Sequence, residues 1–99
     1  MKLGIYARAG QIANTPSSIE ITSEYNADNT DFLCAGISTT QTVYTATSST
    51  IADAFSNDEA LYTDNSLTTT ASTGFYTDSI GTTNYLWNSS TGWVESSPC

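Results

Sequence analysis

Histidine is absent from this 99-residue chain, and only two residues are basic, Lys2 and Arg8. Each absence removes a class of chemistry. Without histidine there is no Ser-His-Asp or Cys-His nucleophile system, and most zinc sites lose a usual ligand. With one lysine and no glycine-rich phosphate loop, a Walker-type nucleotide site is excluded. Ten acidic residues against two basic ones give a net charge of −8. Phosphate backbones and anionic membrane surfaces need a basic face, so neither nucleic acid nor membrane is an expected partner. No apolar run is long enough to span a bilayer. No continuous apolar core follows Lys2 either, so a cleaved secretory leader is not expected.

What is present points to β-structure. Serine and threonine make up about a third of the chain, and aromatic residues 11%. The aromatic share is too high for a disordered chain. Thr- and Tyr-rich, Lys-poor sequence suits short strands with hydroxyl-covered outer faces. The length allows one domain, residues 1–99, burying only a little over ~60% of its unfolded surface. The expected fold is all-β: a small antiparallel sandwich or barrel-like domain of short strands and hairpins, with at most one short helix near residues 50–55. Two cysteines, Cys34 and Cys99, leave two readings open. One is a disulfide closing a long loop; the other is a pair of free thiols.

Along the chain, residues 3–9 (LGIYARA) read as a strand, and Pro16 as a turn or extended connection. Residues 18–25 alternate, with Ile19, Ile21 and Ser23 on one face and Glu20, Thr22 and Glu24 on the other. The stretch 26–31 reads as a loop, and FLCAGI (32–37) as a short buried strand. TVYTA (42–46) is another strand. Ser48-Ser49-Thr50 offers N-cap residues ahead of IADAF, which reads equally as a helical turn or a loop. LYTD (61–64), GFYTD (74–78), NYLW (84–87) and WVES (93–96) read as hairpin strands. Between the last two, Asn88 to Gly92 suits a hairpin loop with a left-handed residue. Symmetric closure sets Trp87 opposite Trp93, Leu86 opposite Val94 and Tyr85 opposite Glu95.

Candidate chemistry is sparse. Asp58, Glu59, Asp64 and Asp78 are the available carboxylates for acid–base work, but their spacing does not require them to meet; solvated loop acids explain them better. Asn26, Asp28, Thr30 and Asp31 alternate as in calcium loops, yet Asp31 stands where such a loop needs glycine and Ile37 where it needs glutamate. Asn88-Ser89-Ser90 has the form of a glycosylation sequon. Tyr62, Tyr76, Trp87 and Trp93 form a candidate glycan surface, against which stands the simpler reading of the same rings as core. No catalytic residue, metal site or cofactor is implied.

Residues Thr42–Cys99 carry a recognisable order of elements. Val43-Tyr44 is followed by Leu61-Tyr62-Thr63-Asp64 with Leu67-Thr68-Thr69, then Gly74-Phe75-Tyr76, Tyr85-Leu86-Trp87, Gly92 and a terminal Cys99. This resembles a β-module at the C-termini of virion structural proteins, head and tail fibres and decoration proteins, of phages infecting Bacteroidetes, crAss-like phages included. The LYTD-x-x-LTT box is its most distinctive part. The resemblance implies a non-catalytic structural subunit on the virion surface, most simply a capsid decoration or fibre-associated protein. Its partners would be other virion proteins, with self-association compatible. A receptor- or carbohydrate-binding tip is the alternative. On this reading residues 42–99 are the LYTD-box module and residues 1–41 an N-terminal docking portion. Within it Lys2, Ile5, Tyr6 and Arg8 are the expected docking contacts, with Lys2 or Arg8 near acidic groups on the particle.

Overall fold

The computed structural model describes residues 18–28 and 30–99. The expected strand at 3–9 and the docking residues Lys2, Ile5, Tyr6 and Arg8 lie outside them. The described chain forms strand β1 (Ile19–Asn26), helix α1 (Thr30–Cys34), strand β2 (Thr39–Thr45), helix α2 (Ile51–Ser56), and strands β3 (Gly74–Thr77), β4 (Thr83–Asn88) and β5 (Gly92–Pro98). The five strands make one antiparallel sheet in the order β2-β1-β3-β4-β5. The chain is thus all-β in class. The division at 41/42 falls inside β2.

Alternation in β1 works as its sequence implies. Ile21 and Ser23 are buried while Glu20 and Thr22 are exposed. Ile21 stands opposite Val43 of β2, which puts both branched side chains on the core face. That face is completed by Tyr76 of β3 and Trp87 of β4. Over it lie α2, through Ile51 and Ala54, and the long connection 57–73, through Leu61 and Ala71. Ile51 and Leu61 are fully buried, a burial of about 1.5–3 kcal/mol for each such side chain.

The covering connection makes a second layer over the sheet and is tied to its β2 edge. Tyr62 exchanges both backbone hydrogen bonds with Tyr44 on the outer side of β2, at 2.8 and 2.9 Å, and Ala71 N–H returns to Leu61 O at 2.9 Å. LYTD is therefore a single bridge residue with its loop, not a full strand. A strand there would have to run on past Asp64, where the backbone instead turns.

Two further expectations are corrected. FLCAGI does not form a buried strand: Thr30–Cys34 is a helical turn that buries Leu33 and stops at Gly36, whose φ is +88°. A short apolar run carries no period that separates the two conformations. The helix near residues 50–55 is α2, with Thr50 as N-cap accepting from Asp53 N–H at 3.0 Å. In the last hairpin Trp87 faces Trp93 as expected, but Leu86 faces Glu95 and Tyr85 faces Ser96. Val94 is the extra residue of a β-bulge, which shifts the register beyond it by one.

Candidate functional site

Three of the four rings proposed as a ligand surface, Tyr76, Trp87 and Trp93, fasten the covering layer, and Tyr25 joins them. Trp93 Nε1 donates to Glu59 O at 2.7 Å, and Trp87 Nε1 to Ala71 O at 3.0 Å. Tyr76 OH donates to Ser72 O and Tyr25 OH to Thr73 O, both at 2.7 Å. Four aromatic donors of the sheet thus hold four carbonyls of the connection 57–73. An indole or phenol can bury its ring in the core while its polar atom satisfies an otherwise stranded carbonyl. Tyr76 shows its role in its acidity too. Burial, with a smaller contribution from Tyr25, pushes the phenol far above its ordinary value.

This corrects the glycan surface of Tyr62, Tyr76, Trp87 and Trp93 at two of its members, Tyr76 and Trp87. Tyr76 and Trp87 are 1% and 3% exposed and cannot stack on a ligand. Tyr62 is half-buried in its bridge to Tyr44. Trp93 is half-buried in a cluster with Phe55 (5.6 Å between centroids), Tyr85 (6.3 Å) and Trp87 (5.2 Å). Phe55 also meets Tyr85 at 5.0 Å. Phe55 and Tyr85 are partners of Trp93 that sequence reading missed. The one available signal was their place in α2 and in a strand already credited with Trp87.

Of the candidate carboxylates, Glu59, Asp64 and Asp78 are equally occupied. The region beyond residue 8 has no cation to pair with them, and they accept from backbone amides and hydroxyls instead. Asp64 takes Thr68 N–H at 3.1 Å, Thr69 N–H at 3.0 Å and the Thr68 hydroxyl. Thr63 N–H meets Thr69 O at 2.8 Å across the base of the same loop. Leu67 turns through φ +59°. The LYTD-x-x-LTT box is therefore a loop closed by its own aspartate. Hydrogen bonds, the Thr68 hydroxyl first, hold the Asp64 carboxyl below its ordinary pKa.

Glu59 does the same for the turn after β2. It accepts from Thr47 N–H at 3.0 Å, Ser48 N–H at 3.1 Å and the Thr47 hydroxyl. These bonds, Thr47's first, lower its pKa. Asp78 reaches back to α2, accepting from Ile51 N–H at 2.7 Å and Ala52 N–H at 3.1 Å. These are amides that a helix start leaves without intrahelical partners. Asp64 and Asp78, the matching acids of the two Tyr-Thr-Asp pieces, thus serve different loops and are not brought together.

Cys34 and Cys99 are joined as a disulfide, with Cα atoms 5.7 Å apart. Asn84 of β4, buried beneath it, donates Nδ2 to Cys34 Sγ at 3.2 Å. Cys99 N–H meets Thr82 O at 3.0 Å. The bond pins α1 and the end of β5 to one corner of the sheet.

The calcium-like stretch has another use in this fold. Asn26 Oδ1 accepts from Asp28 N–H, and Asn26 Nδ2 donates to Ile37 O, both at 2.9 Å. Among the described residues no three His, Cys, Asp or Glu side chains gather as a metal site would require. In the sequon, Asn88 Oδ1 accepts from Ser90 and Thr91 N–H and holds its own turn. An open groove of about 260 Å³ runs between Tyr25, Asn26, Ala27 and Asp28 on one side and Ile37, Ser38 and Thr39 on the other.

Fold and site together define an all-β, disulfide-bridged domain whose polar side chains are spent on closing its own loops. No protein-family model matches the chain, and no curated protein or solved structure is significantly similar to it.

Proposed function

We propose that the chain is a non-catalytic structural subunit of a phage virion, a capsid decoration or fibre-associated protein that docks on a larger particle. The observation that supports it most is the employment of its reactive groups. Glu59, Asp64 and Asp78 hold backbone amides, the cysteines are bridged, and the sheet's aromatic donors fasten the covering layer. Such a body suits a scaffold more than a reaction centre. The LYTD-x-x-LTT box, on which the resemblance to virion modules rests, is a loop-closing device in this fold. Docking is assigned to Met1–Ala9, through Lys2, Ile5, Tyr6 and Arg8, with Lys2 or Arg8 against acidic groups. Deleting these residues should abolish binding to purified particles while the disulfide-linked body stays folded. Unchanged particle binding would refute the assignment.

The second reading is a carbohydrate- or receptor-binding tip, favoured by the half-buried rings of Phe55, Tyr85 and Trp93. Trp93 would report on it. Saturable quenching of tryptophan fluorescence by a glycan supports the tip, and silence across a glycan panel supports the scaffold.

A further inference from the structure

The two edges of the sheet are protected differently. β5 carries the bulge at Val94, the exposed charge of Glu95 and a proline, Pro98. Bulges, charges and prolines are the usual devices that stop another strand from adding to an edge. β2 has none of them over Thr39-Thr40-Gln41-Thr42, and all four residues are exposed.

The register shows which way this edge faces. Tyr44 spends both backbone groups on Tyr62, on the side of β2 away from β1. Period-two alternation turns the N–H and C=O groups of Thr42 and Thr40 the same way. No strand among the described residues pairs with them.

Charge and pattern name the occupant. All ten carboxylates lie between Glu20 and Glu95, and both cations lie in the first eight residues. Set out as a strand, residues 2–9 place Lys2, Tyr6 and Arg8 on one face and Leu3, Ile5, Ala7 and Ala9 on the other. The β1–β2 pair offers the matching two faces: Glu20 and Glu24 with Thr40 and Thr42 on one, Ile21 and Val43 on the other.

We infer that the open edge of β2 at Thr39–Thr42 receives residues 2–9 of a second copy as an added antiparallel strand, with the Lys2/Arg8 face of that segment on the side of Glu24. The inference rests on the reading of Met1–Ala9 as a docking segment, and it gives that segment a partner. The contact joins different surfaces of the two copies, so copies link head to tail. Two β2 edges paired with each other would bring like-charged bodies together with no cation between them.

The test is sedimentation equilibrium of the full chain across a concentration series at low and high salt, with amide hydrogen exchange read at Thr40 and Thr42. Association that weakens with salt, and slowed exchange at those two amides in the associated form, are expected. Charge reversal (Lys2→Glu with Arg8→Glu) and an edge block (Thr42→Lys) should each weaken association at least tenfold. Both sites are exposed or outside the described body, and intact near-ultraviolet dichroism confirms the fold. A chain monomeric at every concentration overturns the inference. So does association unchanged by the reversal, which marks edge-to-edge pairing of β2 strands. Incorporation into particles, scored on the same variants, reports on the virion role separately: a monomeric chain that still binds particles sinks only the head-to-tail contact.

Discussion

Replacing Gly74 with alanine puts a methyl group where the Tyr25 ring already lies. A Cβ built on Gly74 falls 2.5 Å from Tyr25 Cε1 and 2.7 Å from its hydroxyl. The ring has no cheap escape. Its hydroxyl is bonded to Thr73 O, and its face meets Tyr76 at 4.8 Å. Swinging Tyr25 aside forfeits one hydrogen bond, about 1 kcal/mol, and one aromatic pair, about 0.5–1 kcal/mol. Thr73 O then loses its partner at the point where the covering layer meets β3. The positive φ of +157° at Gly74 adds backbone strain of about 1 kcal/mol for any residue with a Cβ. The sum, ~2–3 kcal/mol, lowers the midpoint of thermal unfolding by roughly 10–20 °C for a domain of this size. Tryptophan fluorescence and near-ultraviolet dichroism follow the transition. A double-mutant cycle isolates the cause: in a Tyr25→Ala background the Gly74→Ala cost should shrink to the strain alone, ~1 kcal/mol. Equal costs in the two backgrounds, or a cost below about 0.5 kcal/mol in the parent, would refute the ring-on-glycine account.

Other outcomes follow from the same contacts. Reducing the disulfide, or Cys34→Ser with Cys99→Ser, frees a loop spanning 65 positions and should cost about 4 kcal/mol in denaturant titration. Because hydrogen bonds lower the folded-state pKa of Glu59 and Asp64, their stabilising effect is complete above the ordinary carboxylate range. It is lost as pH falls through the lowered folded values. The unfolding midpoint should therefore drop as pH falls below about 5, less steeply in Glu59→Gln. Asp78→Ala should cost about 1–2 kcal/mol by stranding the Ile51 and Ala52 amides, and faster hydrogen exchange at those two amides checks it. Asp64→Ala should speed exchange at Thr68 and Thr69 while leaving β1–β5 protected.

The strands were largely legible because they alternate. Ile21 and Val43 are opposed core residues, and Trp87 meets Trp93. Legibility failed where local pattern yields to tertiary demand. The bulge at Val94 leaves no mark in WVES, so the partners of Leu86 and Tyr85 were displaced. FLCAGI is too short for periodicity to choose between strand and helical turn. The acids read correctly as loop residues, but not as pins. Asp78 reaches the start of α2 across a sequence separation of 27 residues, and no local rule spans that distance. The glycan surface lost Tyr76 and Trp87 for a different reason. Sequence counts rings, and only packing shows that Tyr76 and Trp87 turn inward while their polar atoms hold the loop above them.

The central claim, a structural subunit held on a virion, is tested most directly by counting the protein in purified phage particles by quantitative mass spectrometry. The account predicts that it is present in a fixed stoichiometry, is accessible to surface labelling before disruption, and is released without loss of the major capsid protein. Its absence from particles whose other structural proteins are all recovered would contradict the account.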